Sequence, residues 1–110
     1  SLSATCVRVP VFVGHSESVN IEFNSAVNAN KIRECLKKAP GCKVVDEIKD
    51  GGYITPVESS GDFTTYISRI RDDKTQKNSI NMWVVSDNLL KGAALNAVQI
   101  ANVLIKKYIK

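Results

Sequence analysis

Residues 65–86, TYISRIRDDKTQKNSINMWVVS, read as two strands joined by a polar loop. Thr65 to about Arg71 and Ile80 to Ser86 are rich in the β-branched and aromatic side chains that suit a pleated, half-buried surface. Asp72 to Ser79 contains no apolar residue and predicts a hairpin loop. An antiparallel pair is therefore the centre from which the rest of the fold is read.

Outward from that pair, residues 18–23, SVNIEF, alternate, with Val19, Ile21 and Phe23 facing inward. Residues 43–48, KVVDEI, predict a short strand, and Asp50-Gly51-Gly52 turns the chain. Residues 4–13 carry strand-like β-branched density, with Val7, Val9, Val11 and Val13 on one face and Arg8, Pro10 and Phe12 on the other. Pro10 has no N–H for a ladder, so this strand is expected at a sheet edge or with a bulge.

Asn28 or Asn30 caps a helix to about Ala39, whose apolar stripe is Ile32, Cys35 and Leu36. Residues 53–62 predict a loop around Pro56, Ser59, Ser60 and Gly61. Asp87 is the expected N-cap of a last helix, Asn88 to about Tyr108. That helix is apolar on too many sides for a surface position, so it needs its own sheet and a second partner outside the chain. Lys106, Lys107 and Lys110 close it and complement its dipole. The expected fold is α+β: one domain, 1–110, with a mixed, mostly antiparallel sheet of four or five strands and helices on one face.

Composition narrows the function classes. The length of 110 residues supports one core, and the absence of a long apolar run or a signal-like start makes a cytoplasmic protein the default. The chain starts at Ser1 and enters a strand almost at once, which reads as a part of something longer. A net charge of +4 invites nucleic-acid binding, but the excess is concentrated in the last helix, and aromatic residues do not interleave with it. Cys6, Cys35 and Cys42 are odd in number and form no CxxC, so they read as buried thiols of a reducing compartment, with no metal site.

The chemistry gathers in Ala4–Glu17, ATCVRVPVFVGHSE. Arg8 offers a planar fork of donors for a carboxylate or phosphate, and Gly14 opens a turn that presents His15, the single histidine. On these residues alone, a solvated edge-strand arginine and a loop histidine bonded to Ser16 or Glu17 are the plainer readings. A regular strand would separate the two Cα atoms by roughly 23 Å and put the side chains on opposite faces. Both reach one ligand only if the chain bends between Pro10 and Gly14.

ATCVRVPVFVGHSE, the SRIRDD stretch and WVVSDNLLKGAALNAVQIA together resemble the C-terminal part of the aspartate-semialdehyde dehydrogenase family. The resemblance runs in order through essentially the whole chain. It implies a catalytic and dimerisation domain akin to that of glyceraldehyde-3-phosphate dehydrogenase, in an enzyme that interconverts aspartyl 4-phosphate and aspartate 4-semialdehyde with NADP. It further implies a homodimer with aspartate 4-semialdehyde and phosphate as substrates, and a last helix, about 88–108, packed on an NADP-binding domain.

Residue by residue, the resemblance makes Arg8 the substrate-carboxylate ligand, His15 the general acid/base, and Asn88 an amide touching the nicotinamide end of the cofactor. It gives no role to Glu17 or Lys91. Ser68 stands where the family's pattern has Gly before RIR. The family's Gly-rich phosphate cradle and its Asn-Cys-Ser/Thr nucleophile motif are both missing, so the chain alone is expected to be inactive. An N-acetyl-glutamyl-phosphate reductase-like cousin and a non-catalytic interaction module are the alternatives.

Overall fold

The computed structural model describes residues 1–109. Lys110, expected among the lysines that close the last helix, lies outside the described residues. The expected antiparallel pair forms as β3 (Thr65–Asp72) and β4 (Ser79–Ser86). β1 (His15–Glu22) pairs antiparallel with β4, from His15 opposite Ser86 to Glu22 opposite Ser79. β2 (Cys42–Val44) adds parallel to β3, which gives a mixed four-stranded sheet in the order β1-β4-β3-β2.

Helix α1 (Ala29–Lys37) starts at Asn28, whose Oδ1 accepts the N–H of Lys31 at 2.9 Å. Ile32 and Leu36 pack on the sheet face that presents Ile67, Ile70, Ile80 and Met82, with Val19 and Ile21 beside them. Cys35, expected in that stripe, is exposed, as is Cys6; only Cys42 is partly covered, so the expectation of buried thiols fails for two of the three.

Ile70 reaches this core through a β-bulge. Ser68 pairs with Trp83 and Arg71 with Asn81, so Arg69 and Ile70 together face Met82. Arg69 absorbs the extra residue at φ 52°, and strict alternation would have turned Ile70 to the other face. The bulge is pinned from both sides: Arg33 Nη2 donates to the Ile70 carbonyl at 2.9 Å, and the Ile70 N–H donates to Asp46 Oδ1 at 3.3 Å.

The segment expected as a loop at 53–62 contains a short helix, α2 (Pro56–Ser59), begun by a Thr55–Glu58 capping box with Pro at its first turn. It crosses the face opposite α1, where Trp83 Nε1 donates to the Ile54 carbonyl at 3.0 Å. Ser68, fully buried on that face, accepts the Ile54 N–H at 3.4 Å, so its hydroxyl gives the departure from glycine a local use.

Four expectations are corrected. Residues 4–13 form no strand, because no neighbouring strand satisfies their backbone; Val7, Val9 and Phe12 stand exposed. The strand predicted to follow the Gly-His turn instead begins at His15 itself. The last helix is also not continuous from Asn88. A π-helical turn, Leu90–Ala94, precedes α3 (Leu95–Lys107), the extra residue falling at the small Gly92-Ala93-Ala94 patch. α3 buries none of its side chains, so the expected packing on its own sheet does not occur; α1 and the 53–62 segment already occupy the two faces. Val98, Ile100, Val103, Leu104 and Ile105 are left exposed.

Candidate active site

The chain bends where Pro10 and Gly14 allow it. Val11 N–H donates to the Val9 carbonyl at 2.9 Å, closing a tight turn around Pro10. Gly14 then takes φ +105°, a conformation that L side chains rarely adopt. A Cβ at Gly14 would sit 2.9 Å from Pro56 Cβ and 3.2 Å from Pro56 Cα, so glycine is required twice, by torsion and by space.

The bend folds the N-terminal segment over the end of the sheet and encloses a groove of about 950 Å³. Arg8, His15 and Asn88 all line it, together with Glu17, Pro56 and Trp83. The structure thus brings the three sequence-predicted site residues to one cavity. His15 is exposed at the first position of β1, and among the described residues neither its ring nor the Arg8 guanidinium has a hydrogen-bond or salt-bridge partner. The Ser16 or Glu17 bond that a loop histidine would make is not formed.

Asn88 is held differently. Its Oδ1 accepts the buried Gly14 N–H at 2.8 Å across 74 residues of sequence, which identifies that atom as the oxygen. One acceptor position is therefore committed to the chain itself, while the two Nδ2 hydrogens remain available to the groove. The adjacent Asp87, nearly fully buried, fixes the turn that carries Asn88. Its Oδ1 accepts from Leu89 N at 2.8 Å and Leu90 N at 3.1 Å, and its Oδ2 accepts the Gly61 N–H at 2.8 Å. The Gly61 N–H is the main cause holding this carboxyl below the usual carboxylate range, with Leu89 and Leu90 adding to it against partial desolvation.

The 53–62 segment is consequently tied to the site at Ile54, Pro56 and Gly61. Sequence reasoning missed this role of Trp83, Pro56 and Asp87. The available signal was the single tryptophan, whose indole N–H needs a partner when covered. Lys91 turns away, donating to Gln99 Oε1 at 2.7 Å.

Residues 1–91 match the family model described as semialdehyde dehydrogenase, dimerisation domain. This chain belongs to that family. The aspartate-semialdehyde dehydrogenase of Rickettsia bellii (strain RML369-C) is 56% identical over 108 residues, covering 98% of this chain and 32% of the relative. Aspartate semialdehyde dehydrogenase II of Vibrio cholerae, solved in complex with ASA, superposes with a TM-score of 0.87 at 39% identity, over 94% of this chain and 30% of that one. The Candida albicans aspartate semialdehyde dehydrogenase, solved with NADP, gives a TM-score of 0.76 at 25% identity, over 94% and 33%.

The chain spans about a third of the length of the curated relatives it matches. The resemblance read from the RVPVFVGHSE and DNLLKGAALN motifs holds for the fold as well: α+β, with a mixed, mostly antiparallel sheet. Among the described residues no helix is long and apolar enough to cross a membrane.

Proposed function

We propose that this chain forms the substrate-holding part of an NADP-dependent aspartate-semialdehyde dehydrogenase, which interconverts aspartyl 4-phosphate with aspartate 4-semialdehyde and phosphate. The observation that carries the reading is the single groove lined by Arg8, His15 and Asn88. Arg8, free of any internal partner, binds the substrate α-carboxylate through two parallel N–H···O bonds, which fixes orientation as well as position. His15 takes the hydroxyl proton of the hemithioacetal formed on a cysteine supplied from outside this chain. Imidazole suits that step because its protonation changes near neutrality.

The bound nicotinamide cofactor supplies the hydride acceptor. Asn88 offers its Nδ2 hydrogens to the carboxamide oxygen of that group. Of the cofactor only this end is met here, since the chain contains no Gly-rich turn that would cradle phosphates. None of Cys6, Cys35 and Cys42 stands in an Asn-Cys-Ser/Thr motif, so the 110-residue chain by itself turns over no substrate.

The family description, a dimerisation domain, supports a homodimer. The unburied apolar side chains of α3 support its packing on an NADP-binding domain of the same protein. Cytoplasmic amino-acid biosynthesis is the corresponding setting.

The test is steady-state kinetics of the whole enzyme with His15→Asn, following phosphate-dependent oxidation of aspartate semialdehyde by NADPH appearance. A fall in kcat of roughly a hundred- to ten-thousand-fold, with KM little changed, is expected. Near-normal turnover would reduce His15 to a strand residue and leave the reading without its base.

A further inference from the structure

The position of His15 is set by the residue before it, and that residue is held from outside its own strand. Gly14 is buried, its backbone is confined by Pro56 at one side, and its N–H is directed to Asn88 Oδ1 at 2.8 Å. His15 follows at once as the first residue of β1, paired opposite Ser86, and Asn88 lies two residues beyond Ser86. The bond therefore closes the β1–β4 ladder one step beyond its last regular pair. Asp87 anchors the Asn88 end to Gly61 and to the start of the π-helical turn.

We infer that Asn88 is a positioning residue for the His15 base: its side-chain oxygen, bound to the Gly14 N–H, sets where β1 begins and so where the imidazole stands in the groove. This rests on the proposed role of His15 and deepens it. The Nδ2 hydrogens and the Oδ1 oxygen of one side chain thereby serve two different tasks, contact with the cofactor and placement of the base. A histidine at a strand terminus, free of any side-chain bond of its own, depends on its backbone for its position. Misplacement on the scale of an ångström costs about a hundredfold in rate.

The two tasks separate by substitution in the whole enzyme. Asn88→Ala removes both; Asn88→Asp keeps the acceptor for Gly14 and loses the donors. Asn88→Ala is expected to lower kcat by roughly ten- to a hundredfold. Asn88→Asp is expected to recover most of that kcat, while the KM for NADP stays raised. In the double variant His15→Asn/Asn88→Ala, kcat should match His15→Asn alone within about twofold, because the position of an absent base no longer matters.

Equal kcat losses in the Ala and Asp variants, or losses that multiply in the double variant, would overturn the inference. A large His15→Asn defect with unchanged kcat in Asn88→Ala would remove the inference and leave the proposed function standing. A His15→Asn enzyme of near-normal kcat would remove both. If Asn88→Ala fails to fold, the comparison of kcat with cofactor KM in Asn88→Asp decides the same question: a kcat as low as that of His15→Asn counts against positioning by the oxygen.

Discussion

Arg33 and Asp46 meet at 2.6 Å, and between them they hold both backbone polar groups of Ile70. A bulge leaves its extra residue without ladder partners, and Ile70 is 4% exposed, so water cannot supply them. The pair, its side chains 21% and 8% exposed, thus permits an apolar side chain from an irregular strand to enter the core.

Arg33→Ala leaves the Ile70 carbonyl and the Asp46 carboxylate without a partner, and the expected loss is about 2–3 kcal/mol. The urea midpoint measures it, with the m-value unchanged. Arg33→Lys should lose a smaller but clear part, since an ammonium on a flexible stem does not reproduce the planar fork that reaches both Asp46 and Ile70.

Gly14→Ala meets two separate penalties, a φ of +105° and a Cβ 2.9 Å from Pro56 Cβ. The expected destabilisation is about 1–3 kcal/mol. On the proposed function kcat falls as well, because His15 moves with its neighbour. Gly41→Ala is the control: its φ is +76° but nothing lies within 4 Å of the added Cβ, so stability alone should change.

Trp83→Phe removes the N–H that holds the Ile54 carbonyl at 3.0 Å and keeps most of the ring. A loss of about 1 kcal/mol is expected, with faster amide exchange in residues 53–62. Hydrogen exchange read out by mass spectrometry resolves that segment from α1, which should be unaffected.

Five carboxyls, Glu34, Glu58, Asp62, Asp73 and Asp87, are held below their usual range, and two of them bear on the sheet and the site. Asp87 is held low chiefly by the Gly61 N–H, and Asp62 chiefly by the Tyr66 hydroxyl, which donates to it at 2.6 Å. A depressed carboxyl contributes stability above its unfolded pKa, about 4, and loses it as pH falls through the folded value. Stability should therefore drop on acidification below about pH 4, less steeply in Asp87→Asn. Tyr66 is shifted upward by the same bond, with burial adding to it. Its contribution is complete below about pH 10 and disappears as pH rises through its raised value, so Tyr66→Phe should flatten the alkaline limb. Urea midpoints across pH check both.

On the proposed function, Arg8→Lys raises the KM for aspartate semialdehyde by roughly tenfold or more, because a point charge replaces a bidentate fork. The kcat at saturation should change much less. A reversed pattern, with kcat reduced and KM kept, would move Arg8 from binding to the chemical step.

Local chemistry made much of this chain legible in one dimension. Alternation located β1, β-branched and aromatic density located β3 and β4, Asn28 capped α1 as its side-chain oxygen predicts, Asp87 took the N–H groups of the turn before the last helix, and Pro10 and Gly14 marked the bend. These are interactions among residues close in sequence, and they need no knowledge of partners. The wording of the motifs singled out Arg8, His15 and Asn88 as well.

What they do together was decided by distant partners. Residues 4–13 have strand composition but no ladder to join, and β-propensity is largely a measure of fit to neighbouring strands. The Ile70 bulge exists because Arg33 and Asp46, from two other segments, satisfy it. The bond from Gly14 to Asn88 joins residues 74 apart, and only the antiparallel pairing of β1 with β4 brings that glycine to that amide. Side-chain identity is local, but a hydrogen bond across a sheet is a property of register, and register is set when the whole core closes.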